Sequence, residues 1–111
     1  MGLGVLGRGV GDVKFLAECG ADLIVTDLKK AEDLKKSLEE LKEFKNIKFV
    51  LGGHSLEDFC NRDLVLKSAG VPIDSLYIAE ARKNKVPVEM STALFAKFAT
   101  REGVKIIGVT G

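Results

Sequence analysis

The sequence has no tryptophan, one tyrosine, one histidine, two cysteines and two prolines. A single histidine, His54, leaves no partner for a metal site, and without a nucleophile motif around it no Ser-His-Asp or Cys-His arrangement can be built. Cys19 and Cys60 lack metal-ligand spacing and read as inert thiols of a reducing compartment. No apolar run approaches the roughly twenty residues that a helix needs to cross a bilayer. No basic stretch followed by an apolar one opens the chain, so neither a membrane partner nor a signal peptide is expected. The net charge of +1 gives nucleic acid no basic face to bind. One Tyr and no Trp also leave too little material for an aromatic cage.

What is present fits one soluble α/β domain: 111 residues, 46% hydrophobic and 30% charged. Short β-branched runs alternate with helical segments, the pattern of βα units on a parallel sheet. The spacing predicts a helix over Gly9–Cys19, with Val13, Leu16 and Ala17 on one face and Gly20 as its terminating glycine. It predicts a strand over Asp22–Thr26 ending at Asp27, and an amphipathic helix over Ala31–Lys45 with Leu34, Leu38, Leu41 and Phe44 as its stripe. A strand over Lys48–Leu51 leads to a Gly52-Gly53-His54 loop, and Ser55 caps a short helical turn through Phe59, with Asp58 at its third position. Further strands are expected over Asp63–Leu66, Val86–Glu89 (near an edge, given Pro87) and Lys105–Val109. Helices are expected over Ser75–Asn84 and from a Ser91 or Thr92 cap to about Ala99.

Gly2-Leu3-Gly4-Val5-Leu6-Gly7 matches G-x-G-x-x-G, a turn that needs glycine to bend tightly and approach a phosphate closely. The helix that follows presents unpaired N–H groups to an anion. Asp27 lies 27 − 7 = 20 residues after the third glycine, at a strand end, where a carboxylate can accept hydrogen bonds from a ribose or a base. Gly9 and Gly11 enlarge the turn beyond the usual dinucleotide fingerprint. As a purely local reading, the glycines make a tight strand-to-helix connection and Asp27 caps the next element.

Three segments together are similar to the Mur ligases, and within them to the D-glutamate-adding branch. The first is the glycine turn with Phe15-Leu16-Ala17 and Val25-Thr26-Asp27-Leu28-Lys29. The second is Asp63-Leu64-Val65-Leu66-Lys67-Ser68-Ala69-Gly70-Val71-Pro72, which resembles that family's strand ending in a Ser/Asn-Pro-Gly-Val/Ile-Pro loop. The third is Val86-Pro87-Val88-Glu89 through Leu94-Phe95, then Ile106-Ile107-Gly108-Val109-Thr110-Gly111, similar to the strand that enters the family's phosphate-binding loop.

The resemblance implies a Rossmann-like, three-layer αβα domain with a mostly parallel sheet and a truncated first strand, covering residues 1–103. It also implies that residues 104–111 are the first strand and loop start of a central ATP-binding domain. It implies a substrate, UDP-N-acetylmuramoyl-L-alanine, with ATP and Mg2+ as cofactors of the full-length ligase and none held by this stretch, which is expected to act as a cytoplasmic monomer. By position, the amides of Gly4, Val5, Leu6 and Gly7 lie near the diphosphate. Asp27 bonds the uracil with Leu28 and Lys29 beside it, and Ser68 and Gly70 line the other side. Thr110 and Gly111 would begin the ATP loop. Leu6 and Leu28 stand where polar residues are usual, so only their backbones serve, and Ala69 replaces a proline.

Two other functions satisfy part of the pattern. The turn with Asp27 also suits an NAD- or FAD-binding oxidoreductase domain, against which stand the extra glycines and the final Gly-Val-Thr-Gly. A self-contained nucleotide-sensing module is the other, against which stands the lack of a strand before Gly2. The ends, one inside a glycine turn and one on a strand's last glycine, read as those of a piece of a longer ligase. The 105–109 strand, apolar and free of its own domain, is then expected to fill part of the first strand's slot.

Overall fold

The computed structural model describes residues 1–5 and 7–109. Helix α1 spans Arg8–Glu18, strand β1 Leu23–Asp27, helix α2 Lys35–Leu41 and strand β2 Ile47–Leu51. Strand β3 spans Val65–Lys67, helix α3 Leu76–Lys83, strand β4 Val88–Met90 and helix α4 Ser91–Arg101. The fold is α/β and Rossmann-like, and both strand pairs are parallel: β1 with β2 (Leu23 opposite Ile47) and β3 with β4 (Val65 opposite Val88).

Met1 and Gly2 join the two pairs. The Met1 amine donates to the Leu66 carbonyl at 2.9 Å, the Ser68 amide donates to the Met1 carbonyl at 3.1 Å, and the Gly2 amide donates to the Thr26 carbonyl at 2.8 Å. The order across the molecule is therefore β2, β1, Met1–Gly2, β3, β4. Gly2 has φ +79° and a Cβ there would lie 2.5 Å from Ser68 Oγ, so only glycine fits. Its reversal sends the two neighbouring side chains to opposite faces. Met1 packs with Phe59, Val65, Ile78, Ala81 and Val86, under α3. Leu3 packs with Val10, Val25 and Leu41, under α1 and α2. Helix α4 lies on the latter face, where it and α1 line an apolar cavity of about 400 Å³ with Leu66 and Val104.

Local signals explain most boundaries. Helix α1 ends as predicted: the Gly20 amide donates to the Ala17 carbonyl and the Ala21 amide to the Leu16 carbonyl, which satisfies two of the last carbonyls. Helix α3 ends the same way on Lys85, with φ +60°, and this turn delays β4 by two residues relative to expectation.

Other expectations are corrected. Gly9 and Gly11 belong to α1 and do not enlarge the turn. The second helix begins as a 3-10 turn over Ala31–Leu34 and stops at Leu41, because Phe44 folds back into the core beside Val25 and Ile47. Its buried stripe is Leu34, Ser37 and Leu41, with Leu38 only half-buried. Neither Ser55 nor Ser91 nor Thr92 makes a side-chain cap, since β4 runs directly into α4 and only the Ser55 carbonyl engages its turn. Residues 105–109 form no strand and do not fill the slot beside β1. Ile107 is 88% and Val109 91% exposed, and Met1–Gly2 already hold the hydrogen-bonding groups at the upper end of that slot.

His54 is packed edge-on against Tyr77, with ring centroids 4.9 Å apart, and against Phe59 at 6.0 Å. Its Nδ1 is buried without a hydrogen-bond partner. Burial pushes its pKa below the usual histidine value, helped by the Met1 ammonium and opposed by Asp27 and Asp58. The unfolded chain therefore takes up a proton that the folded chain refuses. The stability that neutral His54 contributes is present above about pH 6.5 and is lost as pH falls below it. Denaturation midpoints measured between pH 7.5 and 5 are expected to decline, and less steeply in His54→Gln; equal slopes would remove His54 as the cause. A second pair of variants tests the start of α1. A Cβ on Gly9 would sit 2.3 Å from the Leu3 carbonyl oxygen, whereas one on Gly11 would meet nothing within 4 Å. Gly11→Ala is expected to stabilise by about 0.5–1 kcal/mol and Gly9→Ala to destabilise by about 1–3 kcal/mol, read by urea denaturation.

Candidate functional site

The glycine turn lies at the carboxyl ends of β1 and β3, where the strand order reverses direction. β1 and β2 run off to one side of Met1–Gly2, and β3 and β4 to the other. In an open parallel sheet this reversal leaves a crevice above the strand ends, the usual ligand position.

One residue fixes the turn there. Asp27, the last residue of β1, is 6% exposed. Its Oδ2 accepts the Gly4 amide at 2.8 Å and its Oδ1 accepts the Lys29 amide at 2.8 Å. The Gly53 amide donates to the Asp27 carbonyl at 3.1 Å, and the Gly52 amide to that of Lys29 at 2.8 Å. The carboxylate thus ties the turn to the strand, and the 52–53 loop ties the strand end down from the other side. From α2, Ser37 Oγ donates to the Gly4 carbonyl at 3.4 Å.

With Gly4 held at both its amide and its carbonyl, the turn runs through Gly4 at φ +70° and Gly7 at φ +77° into α1. Among the described residues no side chain caps α1, and its first turn carries no acidic residue, so none of these balances the helix's positive end. Val5 is 49% exposed, and among the described residues its amide makes no hydrogen bond.

The opposite wall is the loop after β3. Ser68 is half-buried and in contact range of Gly2, Ala69 and Gly70 are exposed, and the Val71 amide closes a turn onto the Ser68 carbonyl at 3.1 Å. The structure therefore brings Gly2, Gly4, Asp27 and Ser68 together, with Val5 and Gly70 at the rim. Leu28, 68% exposed, and Lys29 point their side chains outward, so their backbones are what the site can use. Leu6, Thr110 and Gly111 lie outside the described residues.

Three residues escaped the sequence reading. Ser37 sits among leucines and carries no motif; its only signal is a polar residue three positions after Leu34, on the buried face. Thr26, 3% exposed, has its hydroxyl buried without a partner. Lys67, 9% exposed, sits in an otherwise apolar strand. No helix among the described residues is long and apolar enough to cross a membrane.

The family model described as "Mur ligase MurD-like, N-terminal domain" matches residues 1–90. The chain is 41% identical, over its whole length, to the UDP-N-acetylmuramoylalanine--D-glutamate ligase of Roseiflexus sp., of which it covers 23%. It is 38% identical over its whole length to the protein of the same name from Borreliella burgdorferi, covering 24% of it. It is 33% identical over 98% of its length to that of Clostridioides difficile, again covering 24%. The chain thus spans about a quarter of the length of the curated relatives it matches. No solved structure matches it. A glycine turn clamped by a strand-end aspartate at the sheet's reversal point, together with these matches, places the chain in the MurD-like Mur ligase family, as its N-terminal domain.

Proposed function

We propose that this chain is the nucleotide-sugar-holding part of the ligase that adds D-glutamate in peptidoglycan synthesis. It takes the UDP moiety of UDP-N-acetylmuramoyl-L-alanine in the crevice between the glycine turn and the 68–72 loop, and works in the cytoplasm. The Asp27 clamp carries this reading, because it holds the Val5 amide, unpaired among the described residues, and the N-terminal end of α1 at one place.

In this arrangement the Val5 amide, exposed and unpaired among the described residues, faces the diphosphate. Each Asp27 oxygen keeps a second lone pair after accepting one amide, and through these Asp27 takes the uracil, with the Leu28 and Lys29 backbone beside it. Ser68 and Gly70 close the other side. ATP with Mg2+, bound elsewhere in the longer protein, supplies the phosphoryl group that activates the substrate carboxylate for amide formation. The part assigned to this chain is to bind and orient the substrate.

Titration calorimetry is expected to show saturable binding of UDP and none of NAD or FAD; the reverse result would move the chain to the oxidoreductase reading. Asp27→Asn replaces one acceptor oxygen with a donor facing an amide. It is expected to weaken UDP binding about tenfold and to lower stability by about 1–3 kcal/mol. The purified chain, given the UDP-muramoyl peptide, D-glutamate, ATP and Mg2+, is expected to release no phosphate, and turnover would refute the assignment of a binding role alone.

A further inference from the structure

Lys67 is the last residue of β3, and the assigned function leaves it without a task. Its side chain is buried, on the same face of the sheet as Val65, and 9% exposed. It takes part in none of the ion pairs among the described residues, which join Lys14 to Glu40, Lys42 to Glu39, Lys83 to Glu80 and Lys97 to Glu89. A buried ammonium without a carboxylate persists only where other acceptors replace its water. Here the acceptors are two backbone carbonyls: Lys67 Nζ donates to that of Ser68 at 3.1 Å and to that of Val71 at 2.9 Å.

These two carbonyls bracket the four-residue turn that forms one wall of the crevice. The Ser68 carbonyl also accepts the Val71 amide, so the turn is closed twice, once by its own backbone and once by the lysine. With the Ser68 carbonyl drawn inward, the Ala69 N–H of the same trans peptide points the opposite way, outward, while the Val71 N–H is taken up by that carbonyl. Among the described residues the amides of Ala69 and Gly70 make no hydrogen bond, and both residues are exposed. No proline stands within Ser68–Val71, so no ring stiffens the turn.

We propose that Lys67 is a positioning residue for ligand binding: its buried ammonium holds the Ser68–Val71 turn in the form whose amides meet the uridine of the substrate. This rests on the UDP-binding reading above. Lys67 itself touches no ligand. Its effect therefore belongs to the nucleoside end, and is the same whether or not phosphates are attached.

The experiment measures the affinity of the 111-residue chain, and of Lys67→Met and Lys67→Arg, for UDP and for uridine, with melting temperatures recorded alongside. Lys67→Met keeps the length and the apolar stem but loses the donors. It is expected to bind both ligands about tenfold more weakly, a loss of the size of one charge-assisted hydrogen bond, while Lys67→Arg, which keeps donors, recovers most of the affinity. A folded Lys67→Met with wild-type affinity overturns the proposal. So does a loss confined to UDP, which would mean that the charge acts directly on the diphosphate. A wild-type chain that binds neither ligand refutes the UDP-binding reading instead.

Should Lys67→Met fail to fold, the side-chain ammonium resonance of Lys67 in the wild-type chain decides the matter. A hydrogen-bonded ammonium shielded from water is expected to be visible and to shift when uridine is added. A missing signal, or one that uridine leaves unmoved, overturns the proposal.

Discussion

The Asp27 carboxylate accepts two backbone amides, and the rest of the site follows from that pair of bonds. The Gly4 amide comes from the turn before α1 and the Lys29 amide from the chain leaving β1, so one side chain joins two segments 25 residues apart. Bonds to an ionised acceptor are roughly twice as strong as neutral ones, and this acceptor is almost entirely out of water. An amide held this way cannot turn toward solvent. The direction of the turn, and with it the start of α1, is therefore set by β1 and not by the turn's own flexible glycines.

The sheet supplies the second constraint. Met1 and Gly2 contribute only two residues of backbone, yet they hydrogen-bond to β1 on one side and to β3 and the residue after it on the other. The two halves of the core, Phe59 with Ile78 and Ala81 on one face and Val10 with Val25 and Leu41 on the other, share no buried residue. The halves are joined by hydrogen bonds at Met1–Gly2, and the proposed ligand crevice opens beside them. A bound ligand touching both walls would bridge the halves where the protein joins them with least material.

How much of this was legible in the sequence depends on whether the deciding contact is local. Gly20 announced the end of α1 because its signal and its hydrogen bonds lie within five residues. The glycine turn and Asp27 were legible as a pair because their spacing is fixed by one strand and one helix. Ser37 was not, since its partner is the Gly4 carbonyl, 33 positions away, and nothing beside it in α2 points there. Leu38 looked the better core residue on helical spacing, but the 3-10 start over Ala31–Leu34 rotates the face that follows. The 105–109 segment carries every mark of a strand, yet a strand exists only against a partner edge. The upper end of the edge it was expected to take is held by Met1 and Gly2.

Asp27 and Lys67 occupy equivalent places, the last residues of β1 and β3 on either side of Met1–Gly2. Both are buried, both are charged, and each spends its charge on backbone. The carboxylate gathers N–H groups, and the ammonium gathers carbonyls. The walls they hold are therefore made of oriented peptide groups more than of side chains. At position 28, where the resemblance leads one to expect a polar residue, the sequence has leucine, and its side chain is exposed. The proposed recognition through peptide groups is compatible with that change, because a leucine offers the same N–H and carbonyl as the residue it replaces. It tolerates far less at Asp27 or Lys67, whose side chains decide which way those groups face.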